Sequence, residues 1–183
     1  MTELRAPTKS EIVEALRTSA AEVAAQLRAR PSEAFERGCY ENGWNGRQIL
    51  AHIASIEWTY PRLLEIAQEG DPAETAPAQP VRRTSTEEAA GVPTRTARGG
   101  IDAYNERQVE KRANATVTEL LAEFERNRAV LIAAVEGTDE TLFAAPIRSA
   151  GGVTGSLGSV LQAVAVNHIL GHARDIAGEA GRS

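Results

Sequence analysis

The sequence predicts an all-α protein, a four-helix bundle with a long crossover loop between its second and third helices. Apolar residues recur at helical spacing in four stretches, capping signals open them, and none shows the strict alternation of a β-strand. The first helix, about 9–29, begins after Pro7 with Thr8 and Glu11 in capping-box spacing. Ile12, Leu16, Val23 and Leu27 follow on one face until Arg30-Pro31 stops the pattern. The second, about 45–68, has Asn45 as cap with Gln48 three residues on, and Trp44 stands where it can staple onto Ile49. Pro61 removes a backbone donor inside that pattern and clashes with the preceding turn, so a kink or break is expected near Tyr60. Residues 70–100 hold Pro72, Pro77, Pro80 and Pro93 with little periodicity and read as the crossover loop. The third helix, about 101–136, carries Val109, Val117, Leu120, Phe124, Leu131 and Val135 on one stripe. It ends on a glycine signal at Gly137, with Thr116 and Glu119 allowing a break and a new cap. The fourth, about 155–178, is capped by Thr154 or Ser156.

A chain of 183 residues suits a single domain, 1–183, that can bury a core without disulfides. Cys39 is the only cysteine, so no internal disulfide is possible; it is read as an apolar filler in the loop before the second helix. The N-terminus lacks a signal-type apolar core, and no run approaches the roughly 18 apolar residues of a membrane span. A cytoplasmic protein with no membrane partner is the expectation. The net charge of −5 mixes arginine with glutamate and contains no basic tract, which argues against a nucleic-acid partner.

The chemistry concentrates in histidine. The chain has three, His52, His168 and His172, and all fall on apolar faces. Leu157, Leu161, Val164, His168 and His172 descend one stripe of the fourth helix, so both its imidazoles are expected to point inward; His52 lies at the margin of the second helix's stripe. Two imidazoles at i, i+4 and a third from a facing helix make a ligand set for Zn, Ni or Fe(II) with open positions, the arrangement of a catalytic metal. Any single histidine is better explained by a carbonyl or carboxylate partner in the core, but burying three polar rings without partners or ligands is costly.

Other polar groups share these faces. On the third helix Asn105, Arg112, Thr116 and Asn127 are aimed roughly inward. Arg112 is a candidate clamp for a substrate carboxylate or a thiol's polar arm, or else a partner of Glu123; Asn105 is a candidate to orient the substrate. Tyr60 is a candidate pocket-lining residue with core packing as the alternative. Asp175, three residues after His172, is a candidate acceptor for an imidazole N–H, or else belongs to a helix-end salt bridge with Arg174. Glu57 and Trp58 fall on a different phase and read as surface and packing residues.

The segment Gly43-Trp44-Asn45-Gly46-Arg47-Gln48-Ile49-Leu50-Ala51-His52-Ile53-Ala54 resembles the second-helix signature of the DinB/YfiT-like metalloenzyme superfamily, and Asn167-His168-Ile169-Leu170-Gly171-His172 resembles its last-helix HxxxH. The likeness runs from about residue 8 to 178. Asp102-Ala103-Tyr104-Asn105-Glu106-Arg107 and Asp139-Glu140-Thr141-Leu142-Phe143 make it most similar to the metal-binding domain of the mycothiol-dependent maleylpyruvate isomerases. The resemblance implies a bundle with a crossover, a three-histidine site for a divalent ion, and a homodimer. It also implies chemistry on a small-molecule substrate with a low-molecular-weight thiol, mycothiol or bacillithiol, ionised at the metal. This sequence ends at Ser183, where those isomerases continue into a further domain that supplies substrate contacts; the expectation is therefore a related thiol-dependent transferase or isomerase activity. The alternatives are a metal-dependent hydrolase, a binding, resistance or stress protein without turnover, and a bundle whose triad is closed by a structural metal or is empty.

Overall fold

Local chemistry sets the helix starts in the computed structural model, which describes residues 5–38, 43–70 and 100–178. Capping boxes open helix α1 (Lys9–Arg28), α3 (Gly46–Glu57) and α6 (Val117–Gly137): Thr8 with Glu11, Asn45 with Gln48, and Thr116 with Glu119 each exchange reciprocal side-chain to backbone hydrogen bonds. Between α1 and α3 lies a short α2 (Glu33–Glu36). The second predicted helix breaks where Pro61 demands it, and α4 (Pro61–Glu69) starts with that proline at a position where the missing donor costs nothing. The third divides into α5 (Gly100–Lys111) and α6 at the second cap. Gly137 is the last residue of α6 and not a left-handed cap; Thr138 closes the helix, its hydroxyl donating to Ala134 O at 2.8 Å. Cys39 and residues 71–99 of the expected crossover loop lie outside the described residues.

A 3-10 turn (Glu140–Ala144) leads to a two-stranded antiparallel hairpin, β1 (Pro146–Arg148) and β2 (Thr154–Ser156), where the sequence shows only a polar link. Three-residue strands are too short for an alternation to register. Ser156 caps the final leg, which runs α7 (Leu157–Leu161), a π-helical segment (Gln162–Asn167) and α8 (His168–Ala177).

The four legs of the bundle are α1, α3–α4, α5–α6 and α7–α8. Ile12, Leu16, Val23 and Leu27 of α1, Ile49, Leu50 and Ile53 of α3, Leu120, Phe124, Leu131 and Val135 of α6, and Ile169, Ala173 and Ile176 of α8 form one core. Each large aliphatic side chain buried there contributes about 1.5–3 kcal/mol. Two glycines permit close backbone approaches between elements. A Cβ on Gly46, at the start of α3, would stand 2.9 Å from Ala34 O of α2, and one on Gly158, in α7, 2.4 Å from Pro7 O.

The π segment changes the phase of the last leg. His168 N–H donates to Ala163 O, five residues back, so the turn holds one residue more than an α-turn. The core stripe passes through Ala165, Ile169, Ala173 and Ile176, and not through Val164 and His168 as an unbroken helix would have it. His168 and His172 consequently stand on the flank of the core. No described helix is long and apolar enough to cross a membrane.

Candidate metal centre

His52 projects from the middle of α3, and His168 and His172 from the first two turns of α8. The three rings meet: their centroids are 5.7 Å (His52–His168), 5.1 Å (His52–His172) and 4.2 Å (His168–His172) apart. One ligand nitrogen from each lies within 4.8 Å of the others, and among the described residues no further histidine, cysteine or carboxylate joins the group. His52 is 4 % and His172 9 % exposed, while His168 is open to solvent. The last point corrects the expectation that both imidazoles of the final leg point into the core, and the π turn is the cause.

The environment keeps these rings neutral. Burial lowers the pKa of His52 to about 4 and that of His172 to about 3, with the neighbouring imidazoles pushing the same way. His168 is lowered by desolvation on its packed side, with Asp175 pulling it back up. Neutral imidazoles are the form that binds metal.

Two observations test whether the residues suit an ion. His172 Nε2 and His168 Nε2 stand 3.0 Å apart. Nitrogens bound to one tetrahedral ion at about 2.0–2.1 Å are separated by about 3.3 Å, so this pair already has the required spacing within a small ring rotation. Second, His52 Nδ1 is buried with no hydrogen-bond partner, an unmet polar atom on a ring that packs against the other two. The donor set is all nitrogen, which suits Zn, Ni or Fe(II). Trp44 packs against His52, ring centroids 5.5 Å apart, and Asp175 Oδ2 lies 3.7 Å from the neutral His172 ring at Nδ1, farther than a hydrogen bond.

His52 and His168 open onto a cavity of about 870 Å³. Its walls are mostly apolar, from Ile56, Leu63, Ile66, Ile101 and Val164, and Trp58, Val130 and Val153 at its rim are the exposed large hydrophobic residues among those described. Asn105 and Tyr104 of α5 supply polar groups, and Arg62 on the wall is paired with Glu65. Tyr60 also lines the cavity, but it is 4 % exposed and its hydroxyl donates to Val164 O at 2.6 Å.

Arg112 does not reach this cavity. Its guanidinium is bound by Glu123 and by Gln108 and lines a separate pocket of about 260 Å³ beside Trp44 and Arg47. Asn127 braces α3, donating to Ala54 O at 2.9 Å. Glu57 overturns its surface reading: it is fully buried, and Arg128 of α6 donates to both its carboxylate oxygens, at 2.8 and 2.6 Å. Burial pushes its carboxyl up to about 7 although the guanidinium pulls it down. Its partner lies 71 residues away, beyond any local pattern. Trp58 is 71 % exposed.

Among curated proteins, none is significantly similar in sequence to this chain. Two solved structures share its fold: a mycothiol-dependent maleylpyruvate isomerase at 17 % identity and TM-score 0.59, and a histidine-to-alanine mutant of a mycothiol-dependent maleylpyruvate isomerase at 16 % and 0.58. Each match covers 94 % of this chain but 60 % of the other, so the chain spans less than two thirds of those enzymes. The family model of the DinB superfamily matches residues 24–176, a span holding the three histidines, the second and third legs in full and the fourth to its last residue but one, and the chain belongs to that superfamily.

Proposed function

We propose that the protein is a metal-dependent enzyme in which His52, His168 and His172 hold one divalent ion, Zn or Ni before Fe(II), and act on a small molecule with a low-molecular-weight thiol such as mycothiol. The observation that carries the reading is the convergence of three neutral imidazoles at the wall of an apolar cavity, two of them facing it. A divalent ion held there supplies Lewis acidity, lowering the pKa of a thiol or water brought beside it. The chain's own residues do the rest. The three rings offer nitrogen donors without first losing protons, and no described carboxylate competes for the same space. The apolar walls accept the hydrocarbon body of a substrate. Asn105, on the cavity wall, orients its polar end; Asp175 biases His172 toward the tautomer with hydrogen on Nδ1, leaving Nε2 as the donor. The thiol is supported by the likeness to structures described as mycothiol-dependent. Cytoplasmic location and a homodimer belong to the same proposal.

The test is metal content by plasma mass spectrometry on untagged protein from defined medium. Wild type is expected to carry near one equivalent of a divalent metal, and His168→Ala and His172→Ala to lose it. Absence of metal in wild type, with reconstitution also failing, overturns the reading in favour of a protein that captures an apolar compound without turnover.

A further inference from the structure

Arg128 is fully buried and uses every N–H it has. Nε and one Nη2 hydrogen go to Glu57, at 2.8 and 2.6 Å; Nη1 donates to Leu16 O at 3.2 Å and Ser19 Oγ at 3.0 Å; the remaining Nη2 hydrogen goes to Ala165 O at 2.7 Å. One side chain from α6 thus ties α1, the end of α3 and the π segment of the last leg together. Glu57 lies five residues after His52, and Ala165 three before His168.

Tyr60 acts on the neighbouring peptide. In an α-helix the His168 N–H would bond Val164 O; here it bonds Ala163 O instead, and Val164 O accepts the Tyr60 hydroxyl at 2.6 Å. The phenol takes the place of the displaced amide. Adjacent carbonyls of the π turn are therefore held from outside the helix, one by Tyr60 and one by Arg128.

We infer that Tyr60 and the Glu57–Arg128 pair are positioning residues: they hold the π turn open and so set the rotation of α8 that brings His168 and His172 against His52. The inference rests on reading the three histidines as one ligand set. With the turn relaxed to α-helix, the two rings of α8 rotate away from His52 while remaining one turn apart on their own helix.

The chain's three histidines make the test direct. Metal-free protein labelled at histidine is compared by NMR for wild type, Tyr60→Phe, and the apolar double replacement Glu57→Leu with Arg128→Met. Removing both partners together is chosen because a buried ion pair replaced by apolar groups of similar volume commonly leaves stability unchanged or raised. Wild type is expected to show ring-to-ring Overhauser contacts from His52 to His168 and His172. Both variants are expected to lose them, to keep helical circular dichroism and cooperative melting, and to bind Co(II) at least tenfold more weakly with altered visible absorption. A merely structural role would move the melting temperature and leave ring contacts and cobalt spectrum alone. Folded variants that keep both overturn the inference. Should the double variant fail to fold, Tyr60→Phe decides it alone. Should wild type bind no cobalt, the metal reading fails, and the ring contacts still decide whether these residues set the histidines.

Discussion

Helix α3 carries two buried polar clusters little more than one turn apart, and they are solved in opposite ways. At its C-terminal end Glu57 meets Arg128, whose guanidinium spends all its donors inside the protein. In its middle His52 stands among two other imidazoles with Nδ1 unmet. Both clusters pay for desolvation, but one is closed by protein groups and the other is left incomplete beside a cavity. Satisfied polar networks in a core fix register and geometry; incomplete ones beside a cavity mark where something from outside belongs.

That contrast predicts unequal costs. Arg128→Ala leaves Glu57 buried without a partner and is expected to lose about 3–5 kcal/mol in urea denaturation. A loss under 1 kcal/mol would mean that the closed cluster is no anchor. The open cluster should instead respond to pH. The folded pKa of His52, about 4, lies below the unfolded value of about 6.5, so the unfolded chain binds more protons between them and stability contributed by neutral His52 is lost as pH falls through that window. Glu57, with its raised pKa, works in the opposite sense, so the informative quantity is a difference. The stability of metal-free wild type relative to His52→Leu should fall by on the order of 3 kcal/mol from pH 6.5 to pH 4. Parallel pH profiles would show that His52 is not sealed from protons.

Metal sharpens the comparison from the other side. At a free Zn concentration one hundred times its dissociation constant, wild type should gain about 2.7 kcal/mol at neutral pH while His52→Leu gains nothing comparable; equal gains would place the ion elsewhere. A control away from both clusters comes next: Gly158→Ala drives a methyl into Pro7 O and should cost about 1–3 kcal/mol without altering metal content. Smallest is Thr116→Ala, which removes the cap of α6 for about 1 kcal/mol; a larger effect would mean that the α5–α6 break has a tertiary role.

What was legible in the sequence was what is decided locally. Thr8 and Glu11, Asn45 and Gln48, and Thr116 and Glu119 are each within one turn, and the structure has each as a capping box. Pro61 broke its helix for reasons contained in its own ring. His168 and His172 were readable as a pair because four residues make about one helical turn, a spacing that the π turn before them leaves intact. The π turn was not readable, since the groups that hold it open, Tyr60 and Arg128, arrive from other legs of the bundle. Its omission put His168 in the core when it belongs at the cavity. Glu57 was misjudged for the same reason: beside Trp58 it looks like a surface residue until its distant partner is known. Arg112 went to Glu123, a choice that two equally available carboxylate roles could not settle in advance.

The chain has two tryptophans, and they flank the site. Trp44 lies against the His52 ring, while Trp58 stands solvent-exposed at the cavity rim. The protein is thus wired with its own two-channel fluorimeter: a paramagnetic ion bound at the imidazoles would dim the half-buried indole, and a hydrocarbon entering the cavity would shift the exposed one to the blue. Unlabelled protein in a cuvette can therefore report separately on an added ion and on an added apolar compound.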